Sequence, residues 1–462
     1  MPLQVSPTTS GHALETARLR LDTMTTMKKQ SIWDYKNIHM TGVKGVGMTA
    51  LAQVLLANGF AVDGSDVSET FMTDAVLKEL GIAATAFDAK HVRGKDAVIR
   101  SNAYASTNPE VAAAEQAGMP LFSYPEVVAE LFNAHYGVAI AGSHGKTTTT
   151  AMLAHILKYA RKNVTAIVGS RVENWHCGAL AGDLSKQDAL FVLEADEYKE
   201  AFLYYRPKAA IITNIDYDHP DYFATPKEYA AAFGKFIKPL PSDGFLVVNA
   251  DDAALCDAAR LAACRVIFVS GNAVQSFNLR TGGDHNVMNA NMAYQAALAL
   301  GVSREVAADA FADFQGTARR MELVGENNGA LIYDDYAHHP SEIKATLAAL
   351  KQKYPAKRII AVFQPHTYSR TKALFVDFAG AFADADSVIL TDIYASAREQ
   401  KDDSVNMAEM VRAINHKGKD AILIKNKENI ASYIERTIDA NALVVALGAG
   451  DIGRVLASLA RR

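Results

Sequence analysis

From Gly137 to Ala141 the chain is uninterruptedly apolar, and it then breaks into Gly142-Ser143-His144-Gly145-Lys146-Thr147 and a helical pattern over Thr148–Tyr159. A strand with no polar alternation is buried on both faces, as strands of a parallel sheet covered by helices are. A Gly-rich turn between such a strand and a helix leaves backbone N–H groups pointing into open space at the positive end of a dipole. That arrangement limits this stretch to an α/β architecture with a site at the carboxyl edge of its sheet.

The same alternation runs through the rest of the chain. Before it, Asn37–Thr41 reads as a strand, Met48–Ala57 as a helix, Phe60–Val62 as a second strand closed by Gly64-Ser65-Asp66, and Ala97–Ile99 and Pro120–Phe122 as further strands. After it come the apolar runs Leu190–Leu193 and Ala209–Thr213, ending in Glu194–Glu197 and in Asn214–His219. A last set, Leu331–Tyr333, Arg358–Phe363, Ser387–Leu390, Ala421–Ile424 and Leu443–Leu447, is separated by helical patterns such as Pro340–Tyr354. With 462 residues and about 150 per domain, three α/β units are expected, at residues 36–134, 135–316 and 317–462. The first and third read as Rossmann-like and the middle one as P-loop-type. Residues 1–35, rich in Ser and Thr, read as a disordered extension.

Composition narrows the partners. Lys plus Arg total 47 against 51 Asp plus Glu, a net charge of −4, which argues against a broad nucleic-acid or anionic-membrane surface while allowing a local basic pocket. The three cysteines, Cys177, Cys256 and Cys264, form no CxxC pair, so neither a disulfide framework nor a structural thiolate–zinc site is expected. Without a long apolar run or a signal-peptide-like start, the chain reads as cytoplasmic.

Four clusters carry chemistry. In the turn Gly142–Thr147 the backbone can cradle phosphate oxygens, Lys146 supplies a point charge and the Thr147 hydroxyl suits Mg²⁺; Ile140 stands where a full P-loop has Gly. The alternative, a tight turn with an incidental lysine, is the weaker reading given the strand before and the helix after. The earlier turn Gly42-Val43-Lys44-Gly45-Val46-Gly47 has GxxGxG rather than dinucleotide GxGxxG spacing, and a turn needed only for packing fits it equally well. Asp66, ending the next strand, can accept a hydroxyl or base hydrogen bond. Glu194, Asp196, Glu197, Asp218 and His219 gather oxygen and imidazole donors at two strand ends, as a Mg²⁺–phosphate site needs. In the third unit Arg319-Arg320, Asp334–Pro340 and Gln364–Thr371 cluster at strand ends, where Arg can pair bidentately with carboxylate or phosphate.

Taken in order, GxxGxGM at 42–48, AGSHGKTTTT at 141–150, EADE at 194–197, TNIDYDH at 213–219, HNVMNA at 285–290 and DDYAHHP at 334–340 resemble the Mur ligases, the ATP-dependent amide-forming enzymes of peptidoglycan synthesis. The resemblance covers nearly all of residues 37–462. Gln364–Thr371 and Leu390–Ala395 are most similar to the members that join L-alanine to the carboxylate of UDP-N-acetylmuramate. Members that attach a tripeptide to the same sugar nucleotide share EADEY and DDxAHHP but not the HxYSRT segment.

The resemblance implies a role for each matching residue. Gly42, Gly45 and Gly47 would face the UDP diphosphate, with Asp66 nearby. Gly142, Ser143, His144, Gly145, Lys146, Thr147 and Thr148 would bind the ATP phosphates. Thr147, Glu194 and His219 match metal positions, and Asn286 and Asn289 contact the base. Arg320 and Asp335 fall at the ATP phosphates and ribose, while Tyr336, His338 and Arg370 would hold the alanine. The catalytic set so implied is Lys146, Glu194, His219, Arg320 and His338, with His338 or His219 as base. ATP and Mg²⁺ are the implied cofactors, small molecules the only partners, and a monomer or homodimer the assembly. The alternatives are the tripeptide ligase, a nicotinamide-dependent oxidoreductase built on the first turn, and a regulatory nucleotide-binding module without turnover.

Overall fold

The computed structural model describes residues 30–280, 282–395 and 399–460; the expectation for residues 1–29 lies outside the described residues. Three sheets form, each from one stretch of chain. β1 (Asn37–Thr41), β2 (Ala61–Ser65), β3 (Ala97–Arg100) and β4 (Leu121–Ser123) make a parallel sheet in the order 2-1-3-4. β5 (Tyr136–Ala141), β6 (Val164–Val172), β7 (Cys177–Leu180), β8 (Leu190–Glu194), β9 (Ala209–Ile212), β10 (Phe245–Asn249) and β11 (Arg265–Val269) make the central sheet, ordered 11-10-9-5-8-6-7. The third sheet, ordered 12-13-17-14-15-16, holds β12 (Glu322–Asn327), β13 (Ala330–Asp335), β14 (Arg358–Phe363), β15 (Ser387–Leu390), β16 (Asp420–Leu423) and β17 (Ala442–Leu447). Among the described residues the strands pair antiparallel only in the edge hairpins β6–β7 and β12–β13.

The expected α/β class and three-unit architecture are therefore present. The folded part begins earlier than the expected boundary at residue 36. Ser31 caps a short 3₁₀ turn, Ile32–Asp34, the Ile32 side chain is fully buried, and the Ile32 N–H donates to Glu130 at 3.1 Å. Burial of Ile32, ring contacts of Trp33 with Phe60 and of Tyr35 with Phe122, and the satisfied N–H groups of the turn anchor this short segment.

The three units are not joined alike. The helix Val46–Ala57 of the first unit lies across β6 and β7, and one apolar cluster runs from Ile38, Leu51 and Val54 into Ile167, Phe191 and Leu193 of the central sheet. The third unit has its own apolar clusters and meets the central unit through polar and charged groups. Shared apolar surface makes the first two units one body, whereas a polar seam is the place where a multidomain chain opens. Among the described residues no helix is long and apolar enough to cross a membrane.

Candidate active site

The helix of the central turn begins at Lys146, two residues before the expected start, so the lysine stem is part of the first helical turn. Gly145 has φ +81°, and a Cβ there would lie 2.5 Å from Asn289 Oδ1. Only glycine fits, for both the left-handed backbone and the close neighbour. The turn is fastened to the end of β9: the His144 N–H donates to Asn214 Oδ1 at 3.0 Å and the Ser143 N–H to the Asn214 carbonyl at 3.1 Å.

Lys146 Nζ donates to Glu197 Oε2 at 2.7 Å and to the Gly142 and Ser143 carbonyls at 2.5 and 3.2 Å. Burial works against the ammonium, but Glu197, Asp196 and Glu194 outweigh it and keep the lysine charged. Burial likewise opposes the Glu197 carboxylate, and Lys146 and His219 overcome it. Thr147 Oγ1 donates to Glu194 Oε1 at 2.8 Å, while Glu194 Oε2 accepts from the Gly169 N–H at 2.6 Å. Asp196, Glu197 and His219 each bring one donor atom within 4.8 Å of the others. The sequence-expected metal residues thus fall into two adjoining groups, Thr147–Glu194 and His219 with Glu197 and Asp196, of which the last two were read as cluster members only.

The third unit closes over this edge. His144 bridges the seam, with Nε2 3.0 Å from Asp216 and Nδ1 3.3 Å from Glu342. Burial pulls its pKa down, but the two carboxylates push it up to about 9. Glu342 also faces Arg320 at 3.6 Å and His338 at 3.3 Å, and accepts the His338 and His339 N–H groups. Sequence reasoning missed Glu342; its signal was a capping box, the acidic side chain three residues after His339 before an apolar-periodic helix.

Between the units lies a cavity of about 300 Å³, lined by His144, Gly145, Thr148, Asn286, Asn289, Arg320, Asp335 and Glu342. It brings together residues expected at the base, ribose and phosphates of one nucleotide. His285, which opens the HNVMNA motif but was given no role from the sequence, lines it too, and burial beside Arg320 takes its pKa down to about 4. Asp335 accepts the Met321 and Ala337 N–H groups at 2.8 Å each, and burial raises it to about 6.

Two expected amino-acid contacts are arranged differently. Arg370 gives Nε and Nη2 to Asp218 at 2.7 and 3.1 Å, a bidentate pair across the seam, so its guanidinium is spent on the central unit. The Tyr336 ring lies 4.9 Å from the Arg319 guanidinium and 5.2 Å from that of Arg320, holding those arginines by cation–π contact. His338 donates Nδ1–H to the Tyr336 carbonyl at 3.0 Å, and burial beside Arg370 lowers it to about 3, leaving a neutral ring.

In the first unit, Gly42 has φ +86° and a Cβ there would strike the Tyr104 ring. Asp66, expected to meet a ligand, is instead filled from within: Lys44 N–H donates at 2.7 Å, Val67 N–H at 2.8 Å and Tyr104 OH at 3.1 Å. It braces the Gly-rich turn, and of the roughly four acceptor sites of an ionised carboxylate one is left for a further donor.

Three family descriptions match the chain: Mur ligase family, catalytic domain, over residues 37–136; Mur ligase middle domain over 140–281; and Mur ligase, glutamate ligase domain, over 319–450. A UDP-N-acetylmuramate–L-alanine ligase of Desulfitobacterium hafniense is 38% identical over 448 residues, covering 92% of this chain and 99% of that one. The protein of the same name from Clostridium acetobutylicum is 37% identical, covering 91% and 96%. Among solved structures, the UDP-N-acetylmuramate–alanine ligase of Thermotoga maritima superposes with a TM-score of 0.74 at 27% identity, covering 92% of this chain and 98% of that one. A murein peptide ligase of Psychrobacter arcticus gives 0.68 at 24% identity, covering 91% and 97%.

Proposed function

The chain belongs to the Mur ligase family, and on that footing we propose that it joins L-alanine to the carboxylate of UDP-N-acetylmuramate with ATP, through an acyl phosphate, in peptidoglycan synthesis. The observation that carries the reading is the seam itself. His144 of the phosphate-type turn reaches Glu342, and Glu342 faces Arg320 and His338, so one crevice holds both the nucleotide turn and the third unit's basic groups.

A carboxylate resists attack by an amine because its charge repels nucleophiles and oxide is a poor leaving group. Transfer of the γ-phosphoryl group from ATP to a carboxylate oxygen removes both obstacles and releases ADP. The alanine amine then attacks the acyl carbon, phosphate departs, and the amine loses a proton. Positioning and charge neutralisation are the protein's share of this work. Lys146, now capping the Gly142 and Ser143 carbonyls, would turn to the β/γ-phosphates, and Arg320 would approach them from the other side of the crevice. Asn286 and Asn289 would meet the base, Asp335 the ribose, and the turn around Gly42, Gly45 and Gly47 the UDP diphosphate. The donor set fits Mg²⁺, with hard oxygens of Thr147, Glu194 and Glu197 beside a phosphate cradle, joined by His219. When bound, the ion would neutralise charge developing on the transferred phosphoryl group.

Of the two histidines considered as base, His219 is raised against its burial by the hydrogen bond to Glu197 and the charges of Asp218 and Glu197, whereas His338 is held neutral by burial. Incubation with UDP-N-acetylmuramate, ATP, Mg²⁺ and single amino acids tests the substrate: phosphate release is expected to be fastest with L-alanine. Release with L-alanyl-γ-D-glutamyl tripeptide alone would assign the tripeptide reaction instead.

A further inference from the structure

The charge carried by the nucleotide turn is set from across the seam. His144 Nε2 is 3.0 Å from Asp216 Oδ2 on its own unit, and Nδ1 is 3.3 Å from Glu342 Oε1 on the third. Burial opposes both carboxylates, yet hydrogen bonds from His144 and Ser341 take Asp216 down to about 2, and the basic groups around Glu342 hold it well below the usual carboxylate range. An ionised carboxylate only accepts, so each ring nitrogen of His144 must carry a hydrogen. The ring is therefore an imidazolium, in keeping with its pKa of about 9. His339, stacked on it with ring centroids 4.6 Å apart, does not take the charge. Its Nε2–H donates to the Tyr217 carbonyl at 3.2 Å and its Nδ1 accepts from the Ser341 N–H at 3.3 Å, which fixes a neutral tautomer. Asp216 Oδ2, 3.5 Å from that Nδ1, takes its hydrogens from His144 and from Ser341 Oγ at 2.6 Å.

The consequence falls on Arg320. Glu342 Oε2 accepts the N–H groups of His338 and His339, which leaves Oε1 for the cations. That one oxygen is shared: His144 Nδ1 lies 3.3 Å away and Arg320 Nη1 3.6 Å away. Sharing keeps the Arg320 contact loose and leaves guanidinium donors for phosphate oxygens. A neutral His144 would yield the carboxylate to Arg320 alone, and an uncontested guanidinium pairs with carboxylate through two parallel hydrogen bonds. We propose that His144 is a positioning residue for phosphoryl transfer: a fixed imidazolium of the nucleotide turn that engages Glu342 of the third unit and so keeps Arg320 available to the phosphates. The inference rests on the ligase reading above, and adds to it the residue that ties the turn to Arg320.

Nuclear magnetic resonance of the full-length chain, labelled with ¹⁵N and ¹³C in histidine only, reads the charge without substrates. The signal lost in His144→Gln identifies the ring. Both of its nitrogens should be protonated near neutral pH, with a midpoint of about 9. Asp216→Asn and Glu342→Gln should each lower that midpoint by about one pH unit or more, as loss of a neighbouring carboxylate does. In turnover with ATP, Mg²⁺, UDP-N-acetylmuramate and L-alanine, His144→Gln should lower kcat by about 10–100-fold, the scale of a small misplacement, with the KM for the sugar nucleotide unchanged. Because His144 acts through Glu342, the same substitution should cost little more in a Glu342→Gln background. A neutral His144 near neutral pH, a parental kcat in His144→Gln, or additive losses in the double variant would overturn the inference. A parent chain that forms no amide with any amino acid would bring down the ligase reading, a failure told apart by the substrate-free titration.

Discussion

Replacing Arg370 by Ala should open the crevice rather than unfold the chain. The Arg370–Asp218 pair is bidentate, its side chains are only 4% and 5% exposed, and its partners belong to different units. Against burial, Arg370 and His219 hold the Asp218 carboxylate well below its usual range, so Asp218 is charged at neutral pH. Deleting one member of such a pair leaves a buried charge and costs about 3–5 kcal/mol. This charge has an escape, because separating the two units exposes it to water. The contacts resisting separation are polar: His144 with Glu342, Ser341 with Asp216 at 2.6 Å, and His339 with the Tyr217 carbonyl at 3.2 Å. A penalty of about 3 kcal/mol shifts the closed-to-open ratio more than 100-fold (about 1.4 kcal/mol per factor of ten). Small-angle scattering without nucleotide should show a larger radius of gyration in Arg370→Ala, and hydrogen exchange should rise at Tyr217–His219 but not in the buried strands. Arg370→Ala with Asp218→Ala should open less than Arg370→Ala alone. A folded Arg370→Ala protein with unchanged scattering and exchange would refute the reasoning.

Lys146→Met removes the only Lys or Arg side chain in Gly142–Thr148 and should lower kcat by about 10²–10³, as loss of one transition-state charge contact does, read by coupled ADP release. Gly145→Ala meets both a left-handed backbone and Asn289 Oδ1; nucleotide binding, followed by a fluorescent ATP analogue, should fall about 5- to 150-fold, matching a strain of about 1–3 kcal/mol. Asp335 is raised by burial to about 6, so the fold favours its protonated form: that contribution is present at low pH and is lost as pH rises through 6. Asp335→Asn should therefore gain stability relative to the parent between pH 4 and 7.5, by up to about 3 kcal/mol, in paired denaturant titrations.

Much of this site could be read from the chain because its parts are local. A fully apolar run followed by glycines and a lysine fixes strand, turn and helix within a dozen residues, and Glu194 and Asn214–His219 follow from the rule that ligands gather at carboxyl strand ends. What stayed hidden depends on contacts distant in sequence. That Asp66 is filled by Lys44, Val67 and Tyr104 follows from a turn and a loop 38 residues away meeting in space. The Arg370–Asp218 pair spans 152 positions, and neither residue's surroundings announce the other. The edge strand β7 has only four residues, Cys177–Leu180, and β12, Glu322–Asn327, is half polar, so the unbroken apolar run that revealed β5 is missing from both.

Isotope tracing tests the central claim most directly. UDP-N-acetylmuramate carrying ¹⁸O in its lactyl carboxylate is turned over with ATP, Mg²⁺ and L-alanine, and the products are weighed by mass spectrometry. Activation as an acyl phosphate requires that one labelled oxygen leave with inorganic phosphate for every amide formed. Amide formation with unlabelled phosphate, or phosphate release without amide, would contradict it.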